Sequence, residues 1–222
     1  YLRISVTDRC NFRCRYCMPA DGVSLLPPDQ VLQYEELLRI ARLSVAGGIT
    51  KVRITGGEPL VRKDLVEFIS RLSNIKGIRD LSLTTNGLLL KDYAGKLFEA
   101  GLRRVNISMD SLKPERFSHI TRNDSLKQVM DGISEAMRVG LNPVKINVVV
   151  MRGFNDDEVE DFAALSMEGP LHVRFIEFMP LGENEYWNDN RYVPSHEVKA
   201  KVESVRPLIS SAQTGNGPAV MN

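Results

Sequence analysis

The chain has 222 residues, 43% hydrophobic and 26% charged, enough apolar material for one globular domain the size of an α/β barrel or open sheet. A net charge of +1 and the lack of an apolar run of membrane-spanning length give no chain-wide case for a nucleic-acid or membrane partner. Any affinity for anions must therefore come from where individual basic residues stand.

Short β-branched runs alternate with longer amphipathic ones. Strands are expected at 2–7, 51–55, 80–85, 104–110, 144–150 and 172–178, with helices at 34–46, 64–73, 91–100, 125–139 and 157–166. Several helices run into glycine, at Gly47-Gly48, Gly101 and Gly140, where a left-handed residue can close the last turn. Repeated strand-helix units imply parallel strands joined by right-handed crossovers, and six units imply a partial (β/α)6 barrel rather than a full eight. After residue 180 the rhythm is lost. One further helix is expected at 195–204, followed by a Gly/Ser/Pro/Asn-rich end. We therefore expect a core at 1–180 and, at 181–222, the truncated start of an extension. No secretory leader precedes the first strand and residue 1 falls at the start of an element, so a missing amino-terminal stretch is expected as well.

The strands alternate in polarity, whereas a parallel strand covered on both faces is usually apolar throughout. Leu2, Ile4 and Val6 oppose Arg3, Ser5 and Thr7; Val52 and Ile54 oppose Lys51, Arg53 and Thr55; Leu81 and Leu83 oppose Ser82 and Thr84. Val105, Ile107 and Met109 oppose Asn106, Ser108 and Asp110, and Val144, Ile146 and Val148 flank Lys145 and Asn147. With the apolar set packed on the helices, the other set lines a polar lumen holding Arg3, Lys51, Arg53 and Lys145, with Arg174 or Glu177 from the sixth strand. Converging buried cations need counter-charge, and a triphosphate would supply it. An open sheet with one wet face is the plainer alternative.

All three cysteines lie in Cys10-Asn-Phe-Arg-Cys14-Arg-Tyr-Cys17, just after the first strand. An odd, clustered set argues against a disulfide framework and for a reducing compartment. Three thiolates on one loop can hold three irons of a 4Fe–4S cluster and leave the fourth open to a small molecule. A structural zinc site would want a fourth ligand, and His119, His172 and His196 are all far from the loop in sequence. The second strand ends in Thr55-Gly56-Gly57-Glu58-Pro59. Two glycines admit a ligand close to the backbone, and Glu58 offers an acceptor to an ammonium group.

The Cys-x3-Cys-x2-Cys loop with Tyr16 before its last cysteine, together with Gly-Gly-Glu-Pro, resembles the radical S-adenosylmethionine (SAM) superfamily. A narrower resemblance, to the MoaA family of GTP 3′,8-cyclases in molybdenum cofactor biosynthesis, runs from residue 2 to 204. It is carried by Leu-Arg-Ile-Ser-Val-Thr-Asp-Arg at 2–9, Cys-Met-Pro at 17–19, Val-Arg-Ile-Thr-Gly-Gly-Glu-Pro-Leu at 52–60, Leu-Thr-Thr-Asn-Gly at 83–87, Asn-Ile-Ser-Met-Asp at 106–110 and Val-Arg-Phe-Ile-Glu-Phe-Met-Pro at 173–180.

This resemblance implies a 4Fe–4S cluster on Cys10, Cys14 and Cys17, SAM contacts from Tyr16, Gly57, Ser108 and Met179, and GTP contacts from Arg3, Arg53, Thr84 and Lys145. Lys51 and Arg174 are further candidates for the phosphates. It also implies an electron donor, a next-step pathway enzyme as consumer of the product, and a location in the cytoplasm of a bacterium or the mitochondrial matrix of a eukaryote; it leaves a homodimer open. The family holds a second 4Fe–4S cluster with three later cysteines, whereas this chain has no cysteine after Cys17, so the ligands of that cluster are expected outside it. The alternatives are a radical enzyme acting on a peptide or porphyrin, and a non-catalytic metal-binding domain.

Overall fold

Each strand presents one apolar face, and the amphipathic segment that follows supplies its cover. The computed structural model describes residues 1–167, 169–180 and 186–209. Strands β1 (Leu2–Ser5), β2 (Lys51–Thr55), β3 (Asp80–Thr85), β4 (Arg104–Ser108), β5 (Val144–Val150) and β6 (Leu171–Glu177) form one parallel sheet in sequential order. The helices are α1 (Tyr34–Ala46), α2 (Leu65–Ser73), α3 (Leu90–Glu99), α4 (Pro114–Thr121), α5 (Leu126–Arg138), α6 (Val159–Leu165) and α7 (Ser195–Val205). None is long and apolar enough to cross a membrane. The apolar parity set, Ile4, Val52, Ile54, Leu81, Leu83, Val105, Ile107, Val144, Ile146 and Val148, packs with Leu38, Phe68, Leu97, Ile133 and Phe162 of the helices in one buried core.

The opposite face is enclosed as well. Ser82 and Asn106 are fully buried, and Lys145 and Arg104 are 3% and 4% exposed, which rules out the open sheet with a wet face. Curvature encloses it. Arg174 on β6 lies within electrostatic reach of Arg53 on β2, four strands away, a separation of about 19 Å in a flat sheet. The end strands β1 and β6 do not pair with each other, so the barrel is partial.

The structure departs from expectation mainly where chain leaves the sheet. β1 ends at Ser5 and β4 at Ser108, each two residues early, although Val6 N still donates to Thr55 O at 2.8 Å and Met109 N to Asn147 O at 3.0 Å. Past those points the backbone turns away to build loops. Helix α4 was not expected as a separate element; only Phe117, Ile120 and Thr121 are buried on its eight residues, too short a stripe to stand out in sequence.

The loops after β1 and β2 grip each other by main-chain bonds, Gly57 N to Thr7 O and Glu58 N to Arg9 O, both at 2.7 Å. A Cβ on Gly56 would sit 2.7 Å from Thr7 O, and one on Gly57 would sit 2.3 Å from Arg9 O. The two glycines thus admit a neighbouring stretch of the protein's own backbone. Gly57→Ala is expected to cost about 1–3 kcal/mol through this clash. Gly95→Ala, in the interior of α3 with open space around the new methyl, is expected to stabilise by about 0.5–1 kcal/mol. Thermal unfolding of the two variants should move in opposite directions.

Candidate active site

The cysteine loop starts where β1 leaves the sheet, at the carboxyl end of the strands, and is lashed down both through its own carbonyls and through the Arg15 side chain. Arg13 Nη1 donates to Cys10 O at 2.6 Å, Arg122 Nη1 to Met18 O at 3.1 Å, and Arg15 Nε to His119 O at 2.8 Å. Arg13 N and Arg15 N donate to Thr121 O and Ile120 O at the end of α4, and Phe12 packs edge-on against Phe117. The loop therefore has a fixed shape before any metal arrives.

Its thiols converge. Cys14 is raised well above the ordinary thiol range by burial, then by Asp110, Cys17 and Cys10; Cys10 is raised by burial, with Cys17 among the lesser causes; and Cys17, the most exposed of the three, is raised by burial. Burial keeps these thiols protonated at neutral pH, and each thiolate formed would oppose the next, unless a cationic centre displaces the protons, as iron would. Three cysteine thiols on one anchored loop fit the three-thiolate side of a cluster. Asn86 stands beside it, its Nδ2 bonded to Asn11 Oδ1 at 2.7 Å and 3.9 Å from Cys10 Sγ.

The carboxylates near the loop are already employed. Glu58, 1% exposed, accepts from Leu60 N and the Thr85 hydroxyl on Oε1 and from Asn86 N on Oε2, at 3.0, 2.7 and 2.7 Å. It braces the loop after β2 to the loop after β3 and keeps acceptor capacity on Oε2, since a carboxylate offers about four lone-pair sites. Asp110 accepts from Tyr16 Oη at 2.7 Å and Val149 N at 2.8 Å, and burial pushes its carboxyl up to about 6. Tyr16 is pushed well up by burial and by Asp110. Each Asp110 oxygen thus has a partner within the protein. Glu177, opposite Val150 on the helix-facing side of β6, accepts from Ser195 N at the start of α7.

Beneath the loop, strand register stacks the polar parity set in rows. Arg3 lies opposite Arg53, Arg53 opposite Ser82, and Ser82 opposite Arg104. Thr84, Asn106, Lys145 and His172 form the next row, and Ser108, Asn147 and Arg174 the one nearest the cysteines. Arg53 Nε, Ser82 Oγ, Arg104 Nη1, Asn106 Oδ1, Asn147 Oδ1, His172 Nδ1 and Arg174 Nε and Nη2 are buried with no hydrogen-bond partner among the described residues. Buried polar groups are normally satisfied, so this concentration on one wall marks a surface built for a polar ligand. Burial lowers Arg53 and Arg174, with Arg104 among the further causes in both.

The structure thus brings Arg53, Thr84, Lys145 and Ser108 onto one wall, with Arg3 on the exposed outer strand of the same face. Tyr16 packs under the loop edge-on to Phe178, Gly57 lies at the loop-to-loop ladder, and Met179, 50% exposed, follows β6 at the same end of the sheet. Sequence reading missed Arg104 and His172, although strand parity contained the signal for both. It also missed the arginine anchors Arg13, Arg15 and Arg122, for which no local pattern exists.

The radical SAM superfamily is matched over residues 4–166. The curated GTP 3′,8-cyclase of Thermodesulfovibrio yellowstonii is 52% identical over 221 residues, 99% of this chain and 68% of that protein. That of Alkaliphilus metalliredigens is 53% identical over 212 residues, 96% of this chain and 66% of that protein. This chain belongs to the GTP 3′,8-cyclase family of the radical SAM superfamily. It spans about two thirds of the length of the curated relatives it matches. Among solved structures, methylornithine synthase (PylB) superposes with a TM-score of 0.70 at 16% identity, covering 93% of this chain and 63% of PylB. anSMEcpe with bound AdoMet superposes with a TM-score of 0.66 at 18% identity, covering 92% of this chain and 56% of that one. Both share its fold. Membership of the superfamily brings a 4Fe–4S cluster and SAM as the cofactor pair.

One consequence of the lumen can be read by titration. Lys145 is lowered to about 8 by burial, then by Arg174, Arg104 and Arg53. A bound polyanion opposes those causes and raises it again. Affinity for such a ligand should be full below pH 8 and fall by up to about tenfold per unit as pH climbs from there toward the bound-state value, with proton uptake on binding in that window. Calorimetry with inorganic tripolyphosphate just above pH 8, in buffers of different ionisation enthalpy, measures that uptake; Lys145→Met should abolish it.

Proposed function

We propose that this chain is the SAM-cleaving, nucleotide-holding part of a GTP 3′,8-cyclase, joining ribose C3′ to guanine C8 as an early step of molybdenum cofactor synthesis. The observation that carries this reading is the wall of buried cations whose Arg53, Arg104 and Arg174 keep unpartnered guanidinium nitrogens, below a three-thiol loop. A triphosphate is the ligand whose charge and acceptor count answer that wall. A peptide or porphyrin would leave most of those donors unmet, at a cost for each.

In this reading Cys10, Cys14 and Cys17 hold the cluster, which when bound supplies the electron that cleaves SAM. Tyr16, Gly57, Ser108 and Met179 line the SAM position around the mouth. Arg3, Arg53, Thr84 and Lys145 take the nucleotide, with Lys51 and Arg174 beside them. The residues of the chain do the positioning. The fixed loop holds the SAM end, the cation wall holds the phosphates, and the sugar lies between, away from water, where hydrogen can be taken only from the carbon presented. Because this chain has no cysteine beyond Cys17, a second cluster contacting the base would be held by residues outside it. The reading also calls for a one-electron donor and for an enzyme that consumes the cyclised nucleotide.

Replacing any one of the three cysteines with alanine should abolish 5′-deoxyadenosine formation by the anaerobically reconstituted protein; a variant that still forms it at the wild-type rate would sink the cluster assignment. Arg53→Ala should weaken GTP binding by about 10- to 100-fold while leaving SAM affinity within about twofold, measured side by side by calorimetry. Equal losses for both ligands would contradict the division of labour between mouth and wall.

A further inference from the structure

Arg104 is the least accessible arginine of the lumen and has no assigned role. It is 4% exposed, and two of its three guanidinium nitrogens are bound to one carboxylate: Nε to Asp80 Oδ1 at 2.7 Å and Nη2 to Asp80 Oδ2 at 2.6 Å. The third, Nη1, is buried and has no partner among the described residues. Two parallel bonds to one carboxylate fix the plane of a guanidinium, and hence the direction in which the remaining nitrogen points. That nitrogen belongs to the ligand wall. Arg104 acts electrostatically on Arg53, Lys145 and Arg174, residues of three other strands that converge on the same space.

A brace between β3 and β4 would explain the Asp80 bonds but not this placement. Asp80 and Arg104 are the first residues of adjacent strands, where a surface ion pair would serve as well. Burying an arginine among three other cations raises the cost of its charge, and one carboxylate leaves the group in net positive surplus. A polyanion removes that surplus.

We propose that Arg104 is a phosphate-binding residue of the lumen, donating Nη1 to the polyphosphate chain, and that Asp80 is its positioning residue. The inference rests on the nucleotide reading of the lumen and adds to it a preset donor, oriented before the ligand arrives, which the more loosely held Arg53 and Lys145 do not provide. It also gives the one acid of the named wall a use. Asp80 gives up part of the attraction for anions and in exchange fixes a direction.

The test is binding of inorganic tripolyphosphate, GTP and SAM to the full chain with its cluster reconstituted. Arg104→Lys keeps the charge and loses the fork; it should lower tripolyphosphate and GTP affinity by about 10- to 100-fold and leave SAM affinity within about twofold. Asp80→Asn separates the two accounts by sign. It adds one unit of positive charge to the lumen, so a wall acting only through its field would bind tripolyphosphate more tightly. A wall that depends on the clamp would bind it more weakly. Weaker binding supports the proposal; tighter binding, or wild-type affinity in Arg104→Lys, overturns it. Should either variant fail to fold, the 15N resonances of the Arg104 guanidinium in the wild-type chain give the same decision, since they should shift on titration with tripolyphosphate and an unmoved set refutes the contact. A wild-type chain that binds tripolyphosphate but not GTP would defeat the GTP reading alone and leave this inference standing. One that binds neither defeats both.

Discussion

Like charges confined inside a curled parallel sheet are the constraint from which the rest of this site follows. Arg53, Arg104, Lys145 and Arg174 come from four strands, yet each acts on the others across the lumen. Four cations at that separation in a low-dielectric interior repel, and Lys145 is lowered first by burial and then by Arg174, Arg104 and Arg53. The apolar face of the sheet, packed on the helices, must hold the wall together against that repulsion. Its branched side chains are close-packed and fully buried, and that is where the compensating free energy lies. Preorganised charge of this kind binds strongly because the protein has already met the cost of assembling it.

The mouth of the barrel follows a different rule. There the protein uses up its own acceptors and donors to make a rigid frame: Glu58 ties two loops together, Asp110 takes the Tyr16 hydroxyl, Arg13 and Arg122 hold carbonyls along the cysteine loop, and Arg15 reaches from that loop to His119 O. What remains unsatisfied at this end is chiefly the thiols, whose protons are firmly held until a cationic centre displaces them. Mouth and wall thus carry opposite unmet needs, the mouth for positive charge and the wall for negative charge. A sulfonium cofactor above and a polyphosphate below suit that division.

The fold was legible to a large extent. The parallel strands and their number follow from the repeated strand-helix units, and the shared parity of Arg3, Arg53, Thr84 and Lys145 from period-two alternation, a local property that survives folding unchanged. The site was legible where a motif is compact, as with the cysteines. It was incomplete where a residue's role depends on what lies opposite. Glu58, read as an acceptor for a ligand, also braces two loops, and the glycines beside it also make room for backbone. Of the two sixth-strand candidates only Arg174 shares the lumen parity, since Glu177 lies opposite the core residue Val150. Arg104 was passed over because it opens its strand.

By itself the sequence determined which face each strand residue takes, where the thiols cluster, and that charge would gather inside, because alternation and spacing act over a few neighbouring residues. Only the tertiary structure decided how that charge is shared. The pairing of Arg104 with Asp80, the capture of Glu58 by the next loop, and the reach of Arg174 across to Arg53 all join residues separated by a strand or more in the sheet or by a helix in the chain. Such partnerships depend on register and curvature, which arise when all six strands are in place together and have no signature in any one of them.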